Sequence, residues 1–300
     1  MAEGASYLQL SREELEDRVS RAREQLTSCR LCPRECRVNR SNKQGFCRAG
    51  AEAVVSSFGP HLGEERVLVG HGGSGTIFFA HCNLRCVFCQ NHELSFGGHG
   101  TPVTTEQLAT MMLIIQDRYG CPNVNLVTPT HFVPHILEAV YLAADRGLRI
   151  PLVYNCGGYE SVEVLRLLAG VVDIYMPDLK YSSPERAHRY SQAEDYFAKA
   201  RLALQEMDRQ VGGLEVSAAG VAQRGLLIRH LVLPGGLEDT KKVLEFVREE
   251  LSPDCMVNLM DQYYPCYRAH EHPELCRRVS STEFRAAWDF AQSLGLRLAR

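Results

Sequence analysis

Three cysteines in the run His81-Cys82-Asn83-Leu84-Arg85-Cys86-Val87-Phe88-Cys89 form a C-x3-C-x2-C triplet at the end of an apolar stretch. Thiolates are soft ligands suited to iron–sulfur clusters. Three of them on one short loop can hold three irons of a [4Fe–4S] cluster and leave the fourth iron without a protein ligand. That vacancy turns a cluster from an electron carrier into a catalyst. Structural zinc suits the triplet less well, because it takes four ligands, usually from paired knuckles. A second group, Cys29-Arg30-Leu31-Cys32-Pro33-Arg34-Glu35-Cys36 followed by Gly45-Phe46-Cys47, supplies four thiols in one compact segment. Four cysteines at that spacing suit either zinc or a closed iron–sulfur cluster. Arg30, Arg34, Arg37 and Arg40 would offset thiolate charge there or meet an acidic partner. Cys121, Cys255 and Cys276 read as ordinary thiols, and Cys266 as a small buried hydrophobe rather than a hydrogen donor.

The elements that must position the triplet follow from hydrophobic periodicity. Residues 7–28 read as a charged helix opened by a capping box of Ser11 and Glu14. Thr76-Ile77-Phe78-Phe79-Ala80 is a buried strand that runs directly into the triplet. Further strands are expected at 124–127, 150–154, 171–175, 226–233 and 256–260. Between them, helix-spaced apolar sets begin with Leu108, Met111, Met112 and Ile115. Ser183-Pro184 reads as the start of one long helix. Six strands alternating with helices imply a parallel α/β sheet with right-handed crossovers, whose chemistry sits at the carboxyl ends of the strands. The triplet lies just past the first of them.

Composition sets the outer bounds. Three hundred residues with 45% hydrophobic content suffice for one large catalytic core and a small appendage. A net charge of −3 with scattered basic residues gives no nucleic-acid footprint. No apolar run is long enough to cross a bilayer. The start, Met1-Ala2-Glu3-Gly4-Ala5-Ser6, lacks the basic and apolar regions of a secretion signal. The twelve cysteines therefore read as metal ligands and reduced thiols of a cytoplasmic protein.

The triplet spacing, with an aromatic residue before the third cysteine, resembles the radical S-adenosylmethionine (SAM) superfamily. The stretch from Gly72-Gly73-Ser74-Gly75-Thr76 through Cys89-Gln90-Asn91 is similar to pyruvate formate-lyase activating enzyme-like proteins, in particular homologues with an N-terminal cysteine segment. The resemblance implies a partial (β/α)6 TIM-type barrel over residues 65–300, with residues 1–64 as a small helical and cysteine-rich metal-binding segment. It implies that Phe88 packs near the adenine of SAM. Asn155 in Asn155-Cys156-Gly157-Gly158 matches the loop that helps hold the SAM carboxylate. Asp178 and Lys180 match the family's Asp-x-Lys strand end, and Arg229 its arginine-bearing fifth strand. One departure is clear. Where the activases carry Gly-Gly-Glu for the SAM amino group, this chain has Thr128-Pro129-Thr130-His131, so Thr128, Thr130 or carbonyls freed by Pro129 would take that place.

The reaction implied is reductive cleavage of SAM to a 5′-deoxyadenosyl radical that abstracts hydrogen from a protein glycine or a small molecule. It needs an external one-electron reductant of the flavodoxin or ferredoxin type. The competing readings are an iron–sulfur electron carrier or sensor indifferent to SAM, and a zinc-stabilised interaction protein.

Overall fold

In the computed structural model, which describes residues 4–299, Ser11 and Glu14 close the expected capping box, and helix α1 (Arg12–Glu24) follows. The cysteine-rich segment then leads into β1 (Ala53–His61), a strand with weak alternation and an interior Gly59-Pro60. A short helix α2 (Arg66–Val69) precedes β2 (Ser74–Phe79). Next come α3 (His92–Ser95), β3 (Thr101–Val103), α4 (Thr105–Asp117) and β4 (Val124–Val127). The alternation continues with α5 (Val133–Asp145), β5 (Leu152–Cys156), α6 (Val162–Leu167) and β6 (Ile174–Pro177).

After β6 the single long helix expected from Ser183-Pro184 is two, α7 (Pro184–Ser191) and α8 (Tyr196–Val211). Gln192 adopts a left-handed conformation at φ +51° and ends α7, which leaves the carbonyls of Ser191 and Gln192 free of helix bonds. Arg34 takes both of them, an acceptor pairing that periodicity could not reveal. The chain closes with β7 (Glu215–Val216), β8 (Ala222–Leu231), α9 (Leu237–Glu250), β9 (Met256–Met260), α10 (Ser281–Ser293) and β10 (Arg297–Leu298).

The sheet order is β10-β9-β8-β6-β5-β4-β2-β1-β3, with β7 paired to β8. The six expected strands are β2, β4, β5, β6, β8 and β9, parallel and adjacent in chain order. That is the connectivity of a partial barrel, with an edge on each side rather than closure. β1 adds antiparallel to β2 and β3 to β1, so the segment before residue 65 belongs to the main sheet. Its Tyr7, Leu15, Ala22 and Leu31 share one core with the helices of the outer layer. Residue 64 marks no break in packing.

The inner face of the sheet has its own apolar floor. Leu68 of α2 is fully buried against Val153, Ile174, Met176 and Leu227. Successive side chains on a strand alternate between faces. Two residues beyond Val153, Met176 and Leu227, on that same inner face, come Asn155, Asp178 and Arg229. A polar rim therefore sits directly above the floor, at the carboxyl ends of three adjacent strands. Among the described residues no helix is long and apolar enough to cross a membrane.

Candidate active site

The loop after β2 is folded tightly. His81 and Arg85 hold φ of +72° and +56°, a region that costs most side chains about 1 kcal/mol or more. Its ends are tied down elsewhere: Val87 N–H donates to the Tyr190 carbonyl (2.8 Å), and Asn83 Nδ2 to the Tyr159 carbonyl (2.7 Å). The result gathers three thiols. Burial pushes Cys82 up to about 12 and Cys89 up to about 11, and in both cases Cys86 adds to the rise through its own charge. Two sulfurs already receive donors: Leu84 N–H to Cys82 Sγ (3.4 Å) and Ser191 Oγ to Cys86 Sγ (3.0 Å). Tyr181 OH stands 2.9 Å from Ser191 Oγ and completes a chain ending on the thiol. Cys89 Sγ in turn donates to Ser95 Oγ at 3.5 Å.

Phe88 is buried in a cage of Tyr181, Tyr190 and Tyr263, each edge-on with ring centres about 6 Å away. Cys266 donates to the Phe88 carbonyl (3.1 Å) and so props the same loop.

Asn155, Asp178, Lys180 and Arg229 come together as one network. Asp178 accepts from Lys180 Nζ (2.7 Å) and Arg229 Nε (2.9 Å), and Arg229 Nη2 donates to Asn155 Oδ1 (2.6 Å). Burial opposes the charge on Asp178, but Arg229 and Lys180 overcome it and hold the carboxyl below its ordinary pKa. Lys180 also lies within electrostatic reach of Cys86 and Cys89, which joins the network to the triplet. The Gly157-Gly158 turn lets the two parts meet. A Cβ on Gly157 would stand 2.7 Å from Leu84 of the cysteine loop. One on Gly158, at φ +77°, would stand 2.3 Å from the Asp178 carbonyl. Tyr196 OH accepts from Lys180 N–H (3.0 Å) and lies 2.8 and 2.9 Å from the carbonyls of Asp178 and Gly157.

The two threonines separate. Thr128 adopts φ +60°, rare for a β-branched residue, and its N–H reaches the Asn155 carbonyl at 2.8 Å, beside the network. Thr130 turns to the other side of the sheet. Its hydroxyl donates to Glu160 Oε1 (2.7 Å), which shares that buried carboxyl with Tyr154 OH (2.9 Å to Oε2). Burial pushes Glu160 up to about 7. His131 is equally occupied, with Nε2 2.8 Å from the Ala80 carbonyl.

The four N-terminal cysteines share one neighbourhood. Burial raises the thiols of Cys32 and Cys47; Cys47 and Cys29 add to the first rise, Cys29 and Cys36 to the second. Cys36 Sγ accepts from Phe46 N–H at 3.3 Å. Arg34 staples this segment to the triplet loop through the Asn83 carbonyl (3.1 Å) and to α7 through the Ser191 carbonyl (2.8 Å). Among the described residues no three His, Cys, Asp or Glu side chains converge on a position for a single metal ion. A four-iron cluster spreads its cysteines over separate irons.

Sequence reasoning missed Glu64, Glu65, Ser191 and Tyr196. Glu64 and Glu65 precede α2 and reach toward Arg229, with oxygens 3.9 Å from Nη1 in each case. They line a cleft of about 1200 Å³ that also takes in Asn155, Arg229, and Gln90 and Asn91 directly after Cys89. The adjacent Glu-Glu pair was the one available signal.

Comparison with known proteins finds sequence relatives and solved structures that align with part of the chain. An uncharacterized protein of Methanocaldococcus jannaschii, MJ0674, is 36% identical over 295 residues, covering 95% of this chain and 80% of its own length. A second from the same organism, MJ0808, is 23% identical over 82% of this chain and 73% of its own. The solved structure of native anSMEcpe with bound AdoMet and Cp18Cys peptide aligns over 72% of this chain and 60% of that one, with TM-score 0.47 and 12% identity. The profile of the Radical SAM superfamily matches residues 76–260. That span runs from the strand delivering the triplet to the end of β9, well over half of the residues, and the chain belongs to the radical SAM superfamily.

Proposed function

We propose that this chain cleaves SAM reductively beside the triplet and directs the 5′-deoxyadenosyl radical to a C–H bond of a polypeptide segment, as a glycyl-radical activase does. The supporting observation is the hydrogen-bonded set Lys180, Asp178, Arg229 and Asn155 at the strand ends, beside the cysteine loop that Gly157 lets approach through Leu84.

Membership of the superfamily implies a [4Fe–4S] cluster and bound SAM. The residues fit: Cys82, Cys86 and Cys89 would hold the cluster, and an amide and a hydroxyl already point at two of the sulfurs. When bound, the reduced cluster supplies the electron that breaks the C5′–S bond of SAM, giving methionine and the carbon radical. The protein's own work is positional. Lys180 and Arg229 present cationic donors for the SAM carboxylate, with Asn155 fixed by Arg229 beside them. Asp178 keeps both cations aimed, and the buried loop excludes water. The cleft of about 1200 Å³ takes in Asn155 and Arg229, so it must receive SAM and leaves room beside it for a substrate group. The electron is assigned to an external flavodoxin- or ferredoxin-type donor. Cys29, Cys32, Cys36 and Cys47 are assigned a second metal centre, an iron–sulfur cluster in preference to zinc because no single-ion position forms among the described residues, and iron, sulfide and zinc counts on purified protein would identify it.

The test is anaerobic reconstitution followed by reduction with and without SAM. The expected result is a SAM-dependent change in the cluster's EPR spectrum and release of 5′-deoxyadenosine, both abolished in Cys86→Ala. A protein that holds its cluster, ignores SAM spectroscopically and yields no 5′-deoxyadenosine is an electron carrier instead.

A further inference from the structure

Acceptor oxygens outnumber donors at one place in the cleft. Glu64 and Glu65 have side chains only 9% and 8% exposed, and Oε2 of each is buried without a hydrogen-bond partner among the described residues. Arg229 is the cation they face, yet its Nη1 stops 3.9 Å from both. Its Nε and Nη2 are committed to Asp178 and Asn155, and Lys180 is likewise committed to Asp178. Burial raises Glu64 to about 7 against the pull of Arg229, with Glu65 adding to the rise, so the crowded pair holds a proton near neutral pH. Asn258 Nδ2 donates to Glu65 Oε1 at 3.1 Å, and the Asn125 side chain lies against the Glu64 carboxyl.

A separate residue shows the same imbalance. Asn125 on β4 is fully buried, and its amide lies against the Glu64 carboxyl. It uses Nδ2 on Ser74 Oγ (3.2 Å) and leaves Oδ1 without a partner. Burying a polar atom unpaired costs about 1–3 kcal/mol, and more for a charged one. The two unpaired glutamate oxygens are acceptors on the cleft wall, so a group that completes them from the cleft brings N–H donors, and positive charge favours it once the pair is ionised. Holding Arg229 does not account for the pair. Asp178 and Asn155 already do so through direct bonds, while the two glutamates stop short.

We propose that Glu64 and Glu65, with Asn125 behind Glu64, bind a cationic N–H group of the substrate, an ammonium or guanidinium of the kind a lysine or arginine side chain presents. The site selects polypeptide segments that carry such a group near the carbon to be attacked. This rests on reading the cleft as the radical's substrate site. Gln90 and Asn91 line the cleft directly after Cys89, which puts the acidic pair and the triplet on one continuous surface.

The experiment uses the full-length reconstituted protein saturated with SAM, so that SAM's own ammonium is already placed. Butylguanidinium and butylammonium are titrated calorimetrically against 1-butanol as the uncharged probe. The wild type is expected to bind a cation at least tenfold more tightly than 1-butanol, and Glu64→Gln/Glu65→Gln to lose that preference. Without probe, the double variant is expected to melt at or above the wild-type temperature, because two crowded buried carboxylates have become neutral isosteres. Equal binding of cation and alcohol, or equal cation binding by wild type and variant, overturns the proposal. So does a probe-free double variant that melts below wild type, which makes the pair a structural counter-ion of Arg229. Should the double variant not fold, Glu65→Gln alone carries the same comparison. The radical reading fails in a different assay, by absence of 5′-deoxyadenosine from the wild type.

Discussion

Arg34 gives the sharpest prediction, because one side chain joins three parts of the molecule. Its guanidinium donates to the carbonyls of Asn83, Ser191 and Gln192 and stacks over the Phe46 ring at 3.9 Å. Hydrogen bonds to a charged group are worth about 1.5–3 kcal/mol each, and partial exposure of Arg34 lets water replace some of that. Taking about 1 kcal/mol per bond and about 1 kcal/mol for the stacking gives a loss near 4 kcal/mol for Arg34→Met. With an unfolding entropy of about 2.1 cal/mol/K per residue over 300 residues, melting should fall by about 6 °C. Arg34→Lys keeps the charge but not the fork, and should lose roughly half as much. Ser191 would also be less firmly held against Cys86, so cluster loss to a chelator should accelerate in Arg34→Met. Calorimetry and the decay of cluster absorbance measure both effects. An Arg34→Met protein that melts with wild type and keeps its cluster as long would refute the staple.

Three further outcomes follow from the geometry. Ser191→Ala removes a donor from Cys86 Sγ and should make the cluster potential more negative, because hydrogen bonds to sulfur favour the reduced state; an EPR-monitored redox titration reads this. Gly158→Ala places a Cβ 2.3 Å from the Asp178 carbonyl at a positive φ. It should cost about 3 kcal/mol or more and weaken SAM binding, and a variant with normal melting and SAM affinity would contradict that. Glu160 has its pKa raised from 4.5 to about 7 by burial, so the fold prefers the protonated form. Its contribution is complete below pH 4.5 and is lost as pH rises through about 7, a decline of roughly 3 kcal/mol between pH 5 and pH 8. Urea midpoints should show that decline in wild type and a flatter profile in Glu160→Gln; equal slopes would remove Glu160 as the cause.

The core strands were legible because each is a short apolar run between helix-spaced sets; Val124–Val127 and Met256–Met260 match residue for residue. The capping box at Ser11 was legible for the same local reason. β1 was not: Gly59 and Pro60 interrupt its pattern, and its pairing with β2 is a tertiary fact. The four polar strand-end residues could be named from local motifs, but their joining through Asp178 depends on β5, β6 and β8 lying side by side. Thr130 illustrates the converse. Its type suited a ligand contact, yet it faces Glu160, thirty residues away in sequence, on the other side of the sheet. Glu64 and Glu65 carry no local motif, and only the fold brings them to Arg229.

The Arg34 staple also sets an order of events during synthesis. All seven cysteines of the two groups precede residue 90, whereas the Ser191 carbonyl that Arg34 grips lies 157 residues further along. A nascent chain must therefore hold these thiols open until β6 and α7 have emerged and docked. Ribosome-bound chains ending before Ser183 should leave Cys86 open to alkylation, and chains long enough to have released Tyr196 from the exit tunnel should protect it. The interval between those two lengths is the period in which the thiols are most vulnerable to oxidation and most accessible to whatever machinery delivers iron and sulfide.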